Sequence, residues 1–266
     1  KAPKKILTIA GSDSSGGAGI QADLKTIEAH GMYGMTVITA LTAQNTLGVD
    51  GILEISPEFV SAQLNAIYND MPPDAVKIGM VANPEIIKII SDFLITHPTP
   101  YVILDPVMVS TSGSKLISDS ARNTLVHMLM PLADCITPNI AEAELLCGFK
   151  IENEADMLRA AESLSSKINT QLLIKGGHLK TSSNDLLYHK GSALWFNGAR
   201  IENDNTHGTG CTLSTAIACH LAATGDLELS ISRAKSYVTE VLSAGLDIGK
   251  GSGPLWHGAS KHHKYL

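Results

Sequence analysis

Apolar residues along this chain follow two alternating patterns. Short unbroken runs at residues 5–10, 35–43, 75–78, 101–104, 134–137 and 171–174 alternate with longer amphipathic stretches at 20–30, 57–69, 84–96, 119–130, 140–146 and 154–168. Unbroken runs suit strands buried on both faces, and a 3.6-residue period suits helices packed by one side. The alternation predicts βαβ units, and so an α/β fold with a mostly parallel central sheet covered by helices on both faces. Residues 185–201 break the rhythm. Their short runs are divided by Gly191 and closed by Asn197-Gly198, which predicts a small antiparallel meander. Two long helices, 209–223 and 227–246, follow it. No repeat, low-complexity tract or linker divides the pattern, so residues 1–266 read as a single domain.

Composition narrows the class. Hydrophobic residues at 44% and charged residues at 17% allow a sizeable core. A net charge of −6 repels a long polyanion, so no nucleic-acid partner is expected. A small anion is still accommodated, because helix N-termini and Mg²⁺ act locally. The four cysteines form no CxxC pair, which removes a zinc or thioredoxin motif. The apolar run at 5–10 is too short for a signal peptide, and no run has transmembrane length. The expected setting is cytoplasmic and reducing, with no membrane partner. The tail around Lys261-His262-His263-Lys264 reads as a solvated terminus.

Ligands of open α/β sheets bind at the carboxyl ends of the strands. The residues that follow the apolar runs are Gly11, Gln44, Gly79-Met80, Asp105, Asn139 and Lys175, a set of carboxylate, carboxamides and lysine that describes a polar site. The first loop, 11–19, is rich in glycine and serine. It contains Gly17-Ala18-Gly19-Ile20-Gln21-Ala22, which matches a dinucleotide fingerprint. The match begins too far beyond the first strand, and the second strand has no acidic residue to hold a ribose, so an oxidoreductase is not indicated. No GxxxxGK[ST] occurs, so the chain has no P-loop. Asp23 lies within the apolar stripe Ile20, Leu24 and Ile27 of the next helix. A carboxylate there is either partnered or at the edge of a site; a partly exposed acid favoured by the helix dipole is the other reading.

The densest signal is Asn205-Thr206-His207-Gly208-Thr209-Gly210-Cys211-Thr212, before a small apolar helix. Gly208, Thr209, Gly210 and Cys211 offer successive backbone N–H groups at a helix start, an anion hole suited to a transferring phosphoryl group. The same position lowers a thiol pKa and would make Cys211 a base; Cys219, among alanines, reads as packing. Asn139 and Glu142 are three apart and share a face. They either hold a Mg²⁺ water shell or form an N-cap and capping box. Lys175 adds a cation at a strand exit, suited to phosphate.

The ordered motifs from Ile9 to Thr26, Ala43-Gln44-Asn45-Thr46, Lys77-Ile78-Gly79-Met80, Leu104-Asp105-Pro106-Val107-Met108, Thr137-Pro138-Asn139, Lys175-Gly176-Gly177-His178 and Asn205 to Ser214 resemble those of the hydroxymethylpyrimidine kinases of the ribokinase superfamily. The resemblance runs from about residue 5 to 258. It implies a ribokinase-like three-layer fold and ATP-dependent phosphorylation of a pyrimidine alcohol, then of its monophosphate, in thiamine biosynthesis. Pyridoxine or pyridoxal kinase is the alternative. The resemblance also implies Gln44 on the pyrimidine, in a pocket lined by Gly11, Ala18, Asp23, Met80 and Val107. Lys175, Asp105, Asn139 and Thr206 would serve the nucleotide, Asn139 and Glu142 a Mg²⁺ ion, and Gly208 to Cys211 the anion hole. A homodimer is implied as well. One departure is Thr111, where relatives often carry lysine. By composition, 110–115 and 181–184 are candidate lids.

Overall fold

The computed structural model describes residues 2–108, 116–177, 179, 183–198 and 206–259. Thr111, the stretch 110–115, residues 181–182, 199–201 and the tail 261–264 lie outside the described residues. The predicted strands appear as β1 (Lys5–Asp13), β2 (Tyr33–Asn45), β4 (Ala75–Ile78), β5 (Val102–Leu104), β6 (Cys135–Ile136) and β7 (Gln171–Ile174), all parallel to one another. The meander forms as β8 (Asp185–His189) and β9 (Ser192–Phe196), antiparallel to β7 and to each other. Their turn has both central residues at positive φ, Lys190 at 47° and Gly191 at 86°, the geometry that matches strand twist. The pattern did not predict β3 (Gly48–Glu54), which pairs antiparallel with β2 at the sheet edge. The described sheet has nine strands in the order β3-β2-β1-β4-β5-β6-β7-β8-β9.

Strand residues alternate between two cores. Leu7, Val76, Leu104, Ile136 and Leu172 pack beneath α2 (Pro57–Asp70), α3 (Pro84–Thr96), α4 (Asp119–Thr124), α5 (Ile140–Cys147) and α6 (Glu154–Ile168). Ile6, Ala75, Ile103, Cys135 and Leu173 pack beneath α1 (Gly19–Ala29), α7 (Thr209–Thr224) and α8 (Leu227–Ser243). The single helix expected at 119–130 is divided: α4 passes into a π turn at Leu125–Leu129 and a 3₁₀ turn at Met130–Leu132. Pro131 lacks the N–H that a continuing α-helix needs. Helix α8 ends at Ser243, short of the expected 246.

Strand β1 lies between β2 and β4, where the order of winding reverses. Such a switch point opens a crevice at the carboxyl ends of the strands. Two irregularities sit at its mouth. The β1–β2 register shifts between Ala10 and Ser12, around Gly11, and the β2–β3 register shifts between Ala43 and Gln44. Bulges re-aim side chains locally, and these two act where candidate site residues stand.

Candidate active site

The first glycine loop folds back on its own strand. Ser12 and Gly19 form an antiparallel bridge. Gly19 has φ +55°, and a Cβ there would stand 2.3 Å from Gly11 O, so no side chain fits. Asp13, at the end of β1, organises the loop. Its carboxylate accepts from Ser15 N at 2.9 Å, Ser15 Oγ at 2.7 Å, Ala18 N at 2.8 Å and His207 Nε2 at 2.9 Å. Burial alone would raise the Asp13 pKa. The bonds from His207, Ser15 and Ala18 overcome it and hold the carboxyl well below its usual range.

His207 thereby ties the first loop to the loop that opens α7. The two backbones touch: a Cβ on Gly208, which has φ +85°, would stand 1.9 Å from Gly17 O. Helix starts leave amides without intrahelical acceptors. Here Thr209 N donates to Thr206 O at 3.2 Å and Thr212 N to Gly208 O at 2.9 Å. Thr209 Oγ1 also donates to Thr206 O, at 2.7 Å. Among the described residues, the amides of Gly210 and Cys211 are left for a ligand. A Cβ on Gly210 would stand 3.2 Å from Lys175 Nζ and 3.5 Å from Asp105 Oδ2, so this helix start faces the ends of β5 and β7. Positive helix-end potential and an ammonium thus converge on one place, where an anion is stabilised.

Below this turn lies a closed polar group. Asp23 is fully buried and accepts two bonds of 2.9 Å from Lys77 Nζ, one of 2.6 Å from Thr8 Oγ1 and one of 2.7 Å from Thr215 Oγ1. Of the readings open for Asp23, the structure gives the partnered one. Its side chain has no exposed surface. Burial disfavours the Lys77 ammonium, but the Asp23 carboxylate outweighs this and holds its pKa above the ordinary value.

Cys211 departs from its expected chemistry. Burial pushes its thiol pKa up; Lys77 works against that, while the carboxylates of Asp23 and Asp105 add to it. The helix start therefore does not supply a ready thiolate, and the thiol is the resting form at neutral pH. The nearby backbone N–H of Gly19, in the first loop, also opposes the rise.

Asp105, buried at the end of β5, accepts from Lys175 Nζ at 2.9 Å and Thr137 Oγ1 at 3.1 Å. Asn139 caps α5: its Oδ1 accepts from Glu142 N at 2.9 Å, and Glu142 Oε2 accepts from Asn139 N at 2.9 Å. The capping box is therefore real. Glu142 Oε1 also accepts from Met108 N at 3.3 Å. Each carboxylate oxygen keeps acceptor capacity. Burial raises the Glu142 pKa to about 7; Lys175 opposes this and Asp105 adds to it. Two buried carboxylates thus share one lysine, a local excess of negative charge with hard oxygen donors. That donor set fits a divalent cation such as Mg²⁺.

Across the crevice, Gln44 is pinned by its backbone: Ser14 Oγ bonds both Gln44 N and Gln44 O, at 2.8 Å each. Its carboxamide touches Thr42 Oγ1 at 3.1 Å and lies 3.5 Å from His207 Nε2. That ring nitrogen also meets Asp13, so most of the amide's bonding capacity is open. A Cβ on Gly11 would stand 3.6 Å from Met80 Cε, which places those two side by side. Ala18 stands at the N-cap of α1, and Val107 follows Asp105 on the loop after β5. Sequence reasoning assigned no role to Asp13, His207 or Lys77. Only Lys77 left a signal: a charge inside the wholly buried strand β4.

The profile of the phosphomethylpyrimidine kinase family matches residues 13–256. A hydroxymethylpyrimidine/phosphomethylpyrimidine kinase of Rhizobium meliloti is 49% identical over 94% of this chain and 96% of that protein. A thiamine biosynthesis bifunctional protein of Geobacter sulfurreducens is 46% identical over 95% of this chain, which spans about half of it, 52%. The crystal structure of a phosphomethylpyrimidine kinase from Clostridium difficile 630 superposes with a TM-score of 0.80 at 45% identity, over 89% of this chain and 98% of that one. A Bacillus subtilis pyridoxal kinase in complex with ADP superposes with 0.91 at 34% identity, over 98% and 99%. The protein is a phosphotransferase with a ribokinase-like fold. Within that class, the chain belongs to the phosphomethylpyrimidine kinase family.

Proposed function

We propose that the protein transfers a phosphoryl group from ATP to the hydroxymethyl group of 4-amino-5-hydroxymethyl-2-methylpyrimidine. It then phosphorylates the monophosphate to the diphosphate at the same site, in thiamine biosynthesis. The observation that supports this is the start of α7, where Gly210 stands against Lys175 and Asp105. Charge on a phosphoryl group in flight is stabilised by such fixed donors. Lys175, Asp105, Asn139 and Thr206 take the nucleotide side. Gln44 meets the pyrimidine amino group and ring nitrogen, since a carboxamide offers donor and acceptor together. Cys211, in its minor thiolate form, takes the proton of the attacking hydroxyl and becomes the thiol. Asp23 is neutralised by Lys77, so it does not oppose the phosphate of the second substrate.

The test is a time course of alcohol, monophosphate and diphosphate with ATP. With Gln44→Leu, the KM for the alcohol should rise by a factor equivalent to about 1–3 kcal/mol per unsatisfied polar group. Both steps should slow together. An unchanged KM removes Gln44 from the pocket, and a second step at full rate removes the shared site. The likeness to pyridoxal kinase supports a second reading, phosphorylation of pyridoxal. Adding pyridoxal to the same assay decides between them.

Mg²⁺ would be held by Asn139 and Glu142, and would supply charge neutralisation between the phosphates. Glu142→Gln should raise the Mg²⁺ concentration for half-maximal activity several-fold while leaving the KM of the alcohol near its original value. A variant with unaltered Mg²⁺ dependence would reduce Glu142 to its capping role. We further propose a cytoplasmic homodimer. The exposed apolar side chains of β3 and its neighbourhood, Leu47, Val49, Ile52 and Leu53, support an interface there.

A further inference from the structure

We propose that residues 253–259 form a brace for the anion hole, with His257 as the positioning residue that fixes the first turn of α7 through Thr212. The proposal rests on reading residues 208–211 as the phosphoryl site. Helices α2, α3, α5, α6 and α8 are capped by the side chains of Ser56, Asn83, Asn139, Asn153 and Asp226. Helix α7 starts at Gly208 in the left-handed region, and no side chain caps it. The turn that must hold its amides most accurately is therefore not fixed by an N-cap side chain.

The lock comes from the far end of the chain. Thr212 Oγ1 lies 2.8 Å from His257 Nε2, and both residues are buried. Thr212 N donates to Gly208 O at 2.9 Å, so holding Thr212 holds the glycine that begins the turn. His257 is itself anchored. Its carbonyl accepts from Tyr237 Oη of α8 at 3.0 Å, and Leu255 is buried in the core between α7 and α8. The same segment grips the preceding loop: His207 N donates to Gly253 O at 3.2 Å, and His207 pairs with Pro254 in a parallel bridge. It also abuts the first glycine loop, since a Cβ on Gly17 would stand 2.5 Å from His207 Cδ2 and 3.1 Å from Pro254 Cβ. Three distant segments thus meet around one helix start. Burial keeps the imidazole neutral, pushing its pKa down to about 4, so His257 acts through its hydrogen bond and not through charge. In the reading above, His257 and Thr212 touch no reacting atom. A misplacement of about 1 Å at a distance from the chemistry is enough to slow a reaction by about 10²-fold.

The experiment compares Thr212→Val, His257→Ala, the double variant and His257→Gln, whose amide reaches the place of Nε2. It measures kcat and KM for the pyrimidine alcohol with ATP, and a thermal melt for each. Each single variant should lower kcat by about tenfold or more, with the KM of the alcohol nearly unchanged. The double variant should be no worse than the poorer single one, because the two residues act as a unit. His257→Gln should recover part of the loss. The brace is overturned if Tm falls while kcat per folded molecule stays within about twofold of the original, or if the two losses multiply. Should His257→Ala fail to fold, Thr212→Val, which removes only the hydroxyl bond, decides alone. Cys211→Ala tests the phosphoryl site itself. If it is inactive while Thr212→Val is fully active, the brace alone fails; if both are fully active, the site reading fails with it.

Discussion

Replacing Cys211 with alanine is expected to leave the fold and the affinity for the pyrimidine alcohol intact and to lower kcat by about 10²–10⁴-fold, the usual contribution of a general base. The side chain is small, it starts a helix, and its loss opens little volume. The pH dependence sharpens this. Burial and the carboxylates of Asp23 and Asp105 raise the thiol pKa, with Lys77 opposing them. The thiolate fraction at neutral pH is therefore below that of a free cysteine, whose pKa is about 8.5. Because the raised pKa moves ionisation to higher pH, kcat/KM should keep climbing on the alkaline side. The climb should vanish in Cys211→Ala. Near-normal kcat in that variant would make Cys211 a packing residue like Cys219.

Lys77→Met is expected to destabilise the protein by about 3–5 kcal/mol in chemical denaturation, the penalty for breaking a buried ion pair. Both side chains of the Lys77–Asp23 pair are fully buried. Without the ammonium, the Asp23 carboxylate keeps only the hydroxyl bonds from Thr8 and Thr215. The double variant Lys77→Met, Asp23→Leu removes both charges and should recover much of the loss. If Lys77→Met costs less than about 1 kcal/mol, the pair behaves like an exposed one and the reading is wrong. Activity should fall with the fold, because Asp23 joins β1 and α1 to α7 directly beneath Cys211.

The parallel strands were legible because each is a continuous apolar run, the mark of burial on both faces. Strand β3 was not, because all its residues are exposed and its sequence, Gly48-Val49-Asp50-Gly51-Ile52-Leu53-Glu54, carries no inward face to reveal it. The end of β1 was hidden for a related reason. Gly11, Ser12 and Asp13 continue the strand through a register shift, with no apolar side chain to announce it. Asn139, Glu142, Lys175 and residues 208–211 were legible because strand exits and helix starts have local signatures. The pairings that hold them did not. Asp13 meets His207 across 194 positions and Lys77 meets Asp23 across 54, and no local spacing encodes such contacts. The proton affinity of Cys211 was unreadable for the same reason, since it depends on burial first and then on Lys77, Asp23 and Asp105, charges brought from distant parts of the chain.

Helix α7 opens at the proposed phosphoryl site, and its buried residues Leu213, Ile217 and Leu221 fill the core over Ile6, Ile103 and Leu173. During synthesis, all nine described strands leave the ribosome before α7 does. Until then that side of the sheet is covered by α1 alone, and its apolar residues are open to chaperones and to other nascent chains. The step that shelters them is the same step that sets Gly210 opposite Lys175. A partly made chain therefore lacks both the core on that side of the sheet and the site at its edge, and the docking of α7 begins both.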